Sequence, residues 1–159
     1  GISWGYWMSD TENITDQKNT WIAGIKTPTS VIDALIHNSA NYSYTGKVIG
    51  SAVASDGTTI GYILNDATNA INLNINFGSS IINGSINFKT SDHATWVANS
   101  FNLSSFGNTG FNGSLSNGNI AEGSIKGAFF GSAAQYVGGV FDASKTNGDK
   151  VIGTFKVIK

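Results

Sequence analysis

The side chains best suited to acid–base or metal chemistry are two histidines, and one of them has suggestive neighbours. His93 ends a polar run at residues 89–93 (Lys-Thr-Ser-Asp-His), in which Asp92 could orient the imidazole as a general base close to Ser91. Adjacent residues of one turn rarely point at a common reacting atom, so we do not assign catalysis to them. An alternative is that His93 binds a haem or a metal ion from a loop. His37 is predicted at a helix C-terminus, where an imidazolium interacts favourably with the helix dipole.

Residues 142–149 (Asp-Ala-Ser-Lys-Thr-Asn-Gly-Asp) resemble a calcium-binding loop only superficially. An EF-hand loop requires glycine at its sixth position and a bidentate glutamate at its twelfth. Asn147 and Gly153 occupy those positions, so the pattern predicts a hairpin turn instead. The sequence also lacks cysteine, a phosphate-binding loop, zinc-ligand spacing and a nucleophile elbow. We therefore predict a protein that is not an enzyme and has no cofactor or metal.

Aromatic side chains in predicted loops are candidate anchors for a protein partner. Phe106 and Phe111 flank a predicted turn at residues 107–110, and Trp96 begins a strand close to His93. Aromatics that a rigid scaffold holds in its loops commonly contribute much of the binding energy of an interface. The alternative is that these rings close the open ends of a β-barrel.

A second aromatic group lies near the start of the chain. Trp4, Tyr6 and Trp7 fall within four residues and predict a short strand. They could cover the helix and a sheet face of their own chain. Alternatively, the strand could add to the sheet of a neighbouring molecule and make the protein a subunit of an assembly. We include these three residues with His93 and the loop aromatics as predicted partner contacts.

The composition limits the classes of function. Only 12% of the 159 residues are charged, about half the usual fraction, so Asn, Ser, Thr and Gly must supply the polar surface. The formal net charge is −1 and there is no arginine, which argues against binding to nucleic acid. No apolar run approaches the ~20 residues of a membrane-spanning helix, and the start shows no signal peptide. The chain is therefore expected to be a mature protein or part of a longer precursor, which alone could carry a lipid anchor.

Hydrophobic periodicity predicts two parts, an N-terminal handle at residues 1–40 and an antiparallel barrel at residues 41–159. The handle contains two short strands and a helix that starts at Thr27-Pro28, with Thr27 as a possible cap, and ends near Asn38. Beyond Tyr42 the apolar residues alternate with polar ones, most clearly at residues 71–77. Short turns separate eight or nine such strands.

These strands predict a closed, eight-stranded, up-and-down β-barrel. Glycines inside the strands permit tight curvature, and closure removes exposed strand edges from a chain with few charges to protect them. Alternation alone leaves open which way the apolar face points, and an outer-membrane barrel would turn it toward lipid. Against that orientation, the last strand ends in Val-Ile-Lys without a terminal aromatic residue.

Residues 127–141 carry a resemblance to a known family. The pattern Gly-x-Phe-Tyr-Gly-Pro-x-Ala-x-Glu-x-Gly-Gly-x-Phe is typical of the C-terminal β-barrel of transferrin-binding-protein-B-like bacterial surface lipoproteins. Seven positions match it: Gly127, Phe129, Gly131, Ala134, Gly138, Gly139 and Phe141. Phe130 replaces Tyr, Ser132 replaces Pro and Tyr136 replaces Glu. The N-terminal part is similar to a related barrel in FecR-domain-containing surface proteins, through Trp-Gly-x-Trp at residues 4–7 and Trp-x-Ala-Gly at residues 21–24.

This resemblance implies a barrel with a small N-terminal handle, located outside the cell or on a bacterial cell surface. We predict that it binds a protein partner or forms part of an extracellular assembly. The alternative is a carrier of a small ligand, haem or a lipophile, in the barrel lumen or at its rim. Large apolar side chains in the lumen would exclude a lumenal carrier.

Overall fold

The computed structural model describes residues 1–7, 19–64, 67–107 and 110–159, and gives only the backbone of residues 7, 19 and 102–107. Its first elements form a small antiparallel sheet: β1 (Ile2–Trp7) pairs along its whole length with β2 (Asn19–Gly24). This hairpin packs on the outside of a barrel, where the hydroxyl groups of Thr20 and Thr154 form a 2.6 Å hydrogen bond. Ile2 and Ile22 point their Cδ1 atoms at Gly138 on the barrel wall.

The single helix of the described chain is α1 (Thr29–His37), which confirms the predicted helix to within two residues. The predicted cap is wrong. Pro28 occupies the N-cap position, and no side chain caps this end of the helix. The Thr27 hydroxyl instead donates a 2.8 Å hydrogen bond to the carbonyl of Gly131, and the Thr27 amide donates to the Phe129 carbonyl. Thr27 therefore connects the handle to the barrel, because its hydroxyl and amide groups form hydrogen bonds with barrel residues rather than with the helix.

In the described part of the chain, nine strands follow the helix. They are β3 (Asn41–Val53), β4 (Thr59–Tyr62), β5 (Ile71–Asn76), β6 (Ile81–Lys89), β7 (Thr95–Gly107), β8 (Gly110–Gly118), β9 (Glu122–Phe130), β10 (Tyr136–Ser144) and β11 (Lys150–Ile158). β4 and β5 pair with successive parts of the long β3 and together occupy one position in the sheet.

Every neighbouring pair in this sheet is antiparallel, and β11 pairs with β3, with Lys150 opposite Val53 and Ile158 opposite Thr45. That last pairing closes the sheet, so the predicted eight-stranded up-and-down barrel is confirmed. The turn at residues 145–149 joins β10 to β11 through two short backbone hydrogen bonds, as the predicted hairpin requires.

Glycines of residues 127–141 allow a tight turn and a close approach of two strands. Gly131 has a φ of 86°, in the region that favours glycine, and begins the turn between β9 and β10. A Cβ atom at Gly139 would lie 1.9 Å from the backbone oxygen of Lys126 on β9. The absence of side chains at such positions lets neighbouring strands approach and the sheet curve into a closed barrel.

The apolar faces of the strands point into the barrel and fill it. On β5, for example, Ile71, Leu73 and Ile75 are buried inside, whereas Asn72, Asn74 and Asn76 are half-buried or exposed outside. Aromatic rings meet across the lumen: the ring centroids of Phe77 and Phe129 lie 5.2 Å apart. An eight-stranded barrel is wide enough to be filled by its own side chains, as it is here. No helix of the described residues is long and apolar enough to cross a membrane.

At the end of the barrel that faces α1, the fully buried Tyr44 donates a 2.8 Å hydrogen bond from its hydroxyl to the carbonyl of Ala134. Burial, together with the nearby Tyr42 phenol, raises the pKa of Tyr44 above its ordinary value. The unfolded chain therefore ionises this group at a lower pH than the folded chain does. Stability that depends on the neutral phenol is complete below about pH 10 and declines as the pH rises above it.

We expect Tyr44→Phe to lower the free energy of unfolding by about 1–2 kcal/mol near neutral pH, because the hydrogen bond to Ala134 is lost. The difference in the free energy of unfolding between the wild-type and variant chains should shrink at about pH 11. At this pH Tyr44 of the wild-type chain ionises on unfolding, whereas the variant has no ionisable group at this position. Urea unfolding at both pH values measures this difference. Tyr62→Phe, a half-buried tyrosine on β4, is the matched control. If the difference in the free energy of unfolding does not depend on pH, the neutral phenol of Tyr44 does not stabilise the fold in the way described.

Candidate partner-binding surface

Two of the predicted contact residues belong to the barrel core. Trp96 has no exposed surface, and its indole Nε1 donates a 3.2 Å hydrogen bond to the hydroxyl of Thr90. Lys145 Nζ lies 4.4 Å from the centroid of the Trp96 ring and covers it. Phe111 is 4% exposed and its ring packs against Phe129. Both side chains close the barrel from within, so neither is carried forward as a partner contact.

His93 is exposed in the turn between β6 and β7, with a φ of 69°. The Asp92 carboxylate does not orient it: Oδ1 accepts hydrogen bonds from the Thr90 hydroxyl at 2.5 Å and from the Ala94 amide at 3.4 Å. The Ser91 hydroxyl accepts from the Tyr62 amide instead. The three residues considered for acid–base chemistry are thus not brought together. Across the described part of the chain, no three His, Cys, Asp or Glu side chains form a group that could hold a metal ion.

The remaining predicted partner contacts are Trp4, Tyr6, Trp7 and Phe106. Trp4 is half-buried and Tyr6 is 36% exposed, both on the handle strand β1. Both are accessible to a partner, and their role stays a prediction. The side chains of Trp7 and Phe106 lie outside the described residues, so their predicted role also remains open.

The structure reveals a surface feature that the sequence analysis missed, a groove of about 350 Å³ between the handle and the outer faces of β8, β9 and β10. We call it the handle groove. Its apolar lining includes Ile22, Phe130 and Val140, and two lysines, Lys26 and Lys126, stand beside them. Val140 is 48% exposed, a fraction similar to those of Ile81, Ile152 and Ile158 elsewhere on the barrel.

Small residues create the groove. Ala128 on β9 lies directly opposite Gly138 on β10, and the next outward pair along the two strands is Lys126 opposite Val140. The bare backbone at Gly138 makes room for the side chains of Ile22 and Ile2, and the groove lies beside these handle residues, over Ala128. The handle is held there because the Ile25 carbonyl and the Thr27 amide are hydrogen-bonded to residues 129–131. The double glycine was the only sequence signal that pointed to this region.

The family profile described as the C-lobe and N-lobe beta barrels of Tf-binding protein B matches residues 36–159, most of the chain. The chain belongs to this family. The family's strand and turn pattern therefore accounts for the barrel, including the Gly/Phe segment at residues 127–141. No curated protein sequence is significantly similar to the chain.

Solved structures of family members share the fold of this chain. The isotype 1 transferrin binding protein B of serogroup B Neisseria meningitidis aligns with 99% of this chain at 19% identity and a TM-score of 0.70. A variant of the vaccine antigen transferrin binding protein B of Haemophilus parasuis Hp5 aligns with 87% of it at 18% identity and a TM-score of 0.58. The alignments cover 32% and 29% of those proteins, so this chain spans about a third of their length.

Proposed function

We propose that this chain is a non-enzymatic barrel domain of a bacterial cell-surface protein and that it binds a protein partner. The observation that carries the proposal is membership of the transferrin-binding-protein-B barrel family over residues 36–159. The solved relatives are named for binding transferrin. A transferrin is accordingly the first partner to test, although those relatives are about three times as long as this chain.

The interior of the barrel supports a binding scaffold more than a carrier of small ligands. Its largest fully buried side chains are those of Trp96, Tyr44, Phe77 and Phe155. Three aromatic contacts with centroid separations of 5.2–6.3 Å join rings inside the barrel. A lumenal ligand would have to displace these rings from a close-packed core. The outer surface is thus the available working surface.

The proposal is tested by measuring binding of the whole chain to a panel of mammalian transferrins by biolayer interferometry. Affinity capture from serum, followed by mass spectrometry, extends the search to other proteins. We expect one protein to bind saturably with a dissociation constant of about 1 µM or tighter. Heat-denatured chain serves as the control for non-specific adsorption. If neither the panel nor serum yields a saturable protein ligand, the proposal is wrong.

A further inference from the structure

We infer that the handle groove is the docking site for an extended segment of the partner protein in which an apolar side chain is flanked by carboxylates. This inference rests on the proposed function, since it assumes that the partner is a protein. It adds the location of the contact and the chemistry of the segment that is recognised.

The shape of the groove suits a chain segment rather than an enclosed small molecule. Its floor is made by Ala128 on β9, next to the point where Ile22 and Ile2 of the handle cover Gly138, and it is open to solvent on its outer side. Ile22, Phe130 and Val140 contribute its apolar lining. An apolar side chain that enters this depression would remove apolar surface from water on both molecules, which is the main driving force at the centre of protein interfaces.

The charge of the groove identifies the flanking groups of the ligand. Within the described residues, no ion pair connects Lys26 or Lys126 with a carboxylate. The acidic residue that follows on the same face of β10 is Asp142, whose carboxylate is occupied by two hydrogen bonds from Ser124, at 2.7 and 3.1 Å. Two ammonium groups that form no ion pair within the described residues thus lie beside an apolar depression, and they complement carboxylates of a ligand.

The neighbouring wall continues the same charge. Lys156 on β11 lies directly opposite Lys47 on β3, and both are half-buried on the outer face of the barrel. Among the described residues, this wall carries Lys47, Lys126 and Lys156 on its outer face, together with the exposed carboxylates of Glu122 and Asp142.

The other side of the barrel offers a contrasting surface. The outward residues of β5 and β6 are mostly amides and hydroxyls (Asn72, Asn74, Asn76, Asn83, Ser85 and Asn87), with exposed Ile81 and Lys89 at the two ends of β6. Asn74 is already engaged by the Ser43 hydroxyl at 2.6 Å. Uncharged and well-hydrated amides provide neither the apolar anchors nor the charge that concentrate binding energy in an interface. Ile81 and Lys89 lie at opposite ends of β6, so this side does not place an apolar side chain next to a lysine as the handle groove does.

The inference is tested with fluorescein-labelled hexapeptides and the whole chain, by fluorescence anisotropy and by chemical-shift mapping of the ¹⁵N-labelled protein. The probe peptide is Glu-Asp-Leu-Phe-Asp-Glu, with hexaglutamate and Lys-Lys-Leu-Phe-Lys-Lys as comparisons. We expect saturable binding of the first peptide, at least about tenfold weaker binding of the other two, and shifts centred on Ala128, Gly138 and Val140. Equal binding of hexaglutamate, equal binding of anionic phosphatidylglycerol vesicles, or shifts elsewhere would overturn the inference.

Matched variants separate the groove from general electrostatics. Lys26→Glu with Lys126→Glu should weaken binding of the probe peptide about tenfold or more, whereas Lys89→Glu with Lys150→Glu, the same charge change on exposed lysines elsewhere, should change it less than about twofold. Val140→Asp should weaken binding similarly, and Ile152→Asp is its control, since Ile152 is 47% exposed on the adjacent strand. Melting curves verify that each variant is folded. Equal effects of groove and control variants would contradict the inference.

The same variants distinguish failure of this inference from failure of the proposed function. If the wild-type chain binds a transferrin or another serum protein and the groove variants bind it equally well, the inference that the groove is the docking site is wrong and the proposed function stands. If the chain binds the acidic peptide in the groove but no serum protein, the proposed function is wrong. Loss of both interactions in the groove variants, with the control variants unaffected, supports both.

Discussion

Replacing Trp96 with alanine is expected to lower the free energy of unfolding by about 4 kcal/mol, because it opens a large cavity in the barrel core. The indole has no exposed surface and stacks on Phe88 with the ring planes 9° apart. Its removal also eliminates the hydrogen bond to Thr90 and the contact with the Lys145 ammonium group. Denaturant unfolding monitored by circular dichroism measures the loss.

Trp96→Phe is the control for this prediction, since it keeps an aromatic ring in the core. We expect it to cost only about 1–2 kcal/mol and to leave affinity for the protein partner unchanged. A Trp96→Phe variant with wild-type stability but greatly reduced partner binding would contradict the structural role. It would restore the original prediction that Trp96 is a partner contact.

Gly139→Ala is expected to destabilise the barrel by about 3 kcal/mol, which corresponds to a decrease in melting temperature of roughly 6–12 °C. The added Cβ would lie 1.9 Å from the Lys126 carbonyl oxygen and 2.7 Å from the Gly127 Cα. Both atoms belong to the backbone of β9, so they can move only if the pairing of β9 with β10 is disturbed. Thermal unfolding of the variant measures the effect.

Gly138→Ala is the matched control, one residue away on the same strand. Its Cβ would approach the Cδ1 atoms of Ile22 and Ile2, which are the ends of flexible side chains in the handle. These side chains can rotate away, so we expect a smaller loss of barrel stability, less than about 1.5 kcal/mol, and a displaced handle. If the two alanine variants melt at the same temperature, the close approach of β9 and β10 does not explain why residue 139 is a glycine.

The prediction for Gly139 bears on function, because a binding surface needs a rigid support. The handle groove is built on β9 and β10, the strands that Gly139 brings together, and the handle covers Gly138. A side chain at Gly139 would disturb the register that places Lys126 opposite Val140. Loss of peptide binding by this variant at a temperature where it remains folded would indicate that the curvature of the wall also shapes the groove.

The sequence was sufficient to predict the strands, the turns and the closed sheet. Alternation at residues 71–77 requires an extended strand with one buried face, since successive side chains point to opposite sides. A Gly and a tight turn between β9 and β10 follow from the backbone angles that only glycine adopts easily. These are local properties, determined by neighbours in the sequence, and the structure agrees with them.

The sequence could not show where the resulting surfaces meet. Thr27 follows a helix-start pattern, but its hydroxyl finds a partner 104 residues away at Gly131, so its role is a property of the packed handle. Whether the Trp96 ring faces the core or a partner depends on the register of β7 in the closed barrel. Lys26 and Lys126 are 100 positions apart in the sequence and share one groove only because the handle folds back on β9.

Local periodicity, glycine positions and the family pattern of residues 127–141 thus determined the barrel from the sequence alone. The tertiary structure decided the site: it buried Trp96 and Phe111, left Val140 exposed, and assembled two lysines beside an apolar depression. The physical reason is that backbone conformation responds to adjacent residues, whereas burial and charge complementarity depend on contacts between segments that are distant in the sequence.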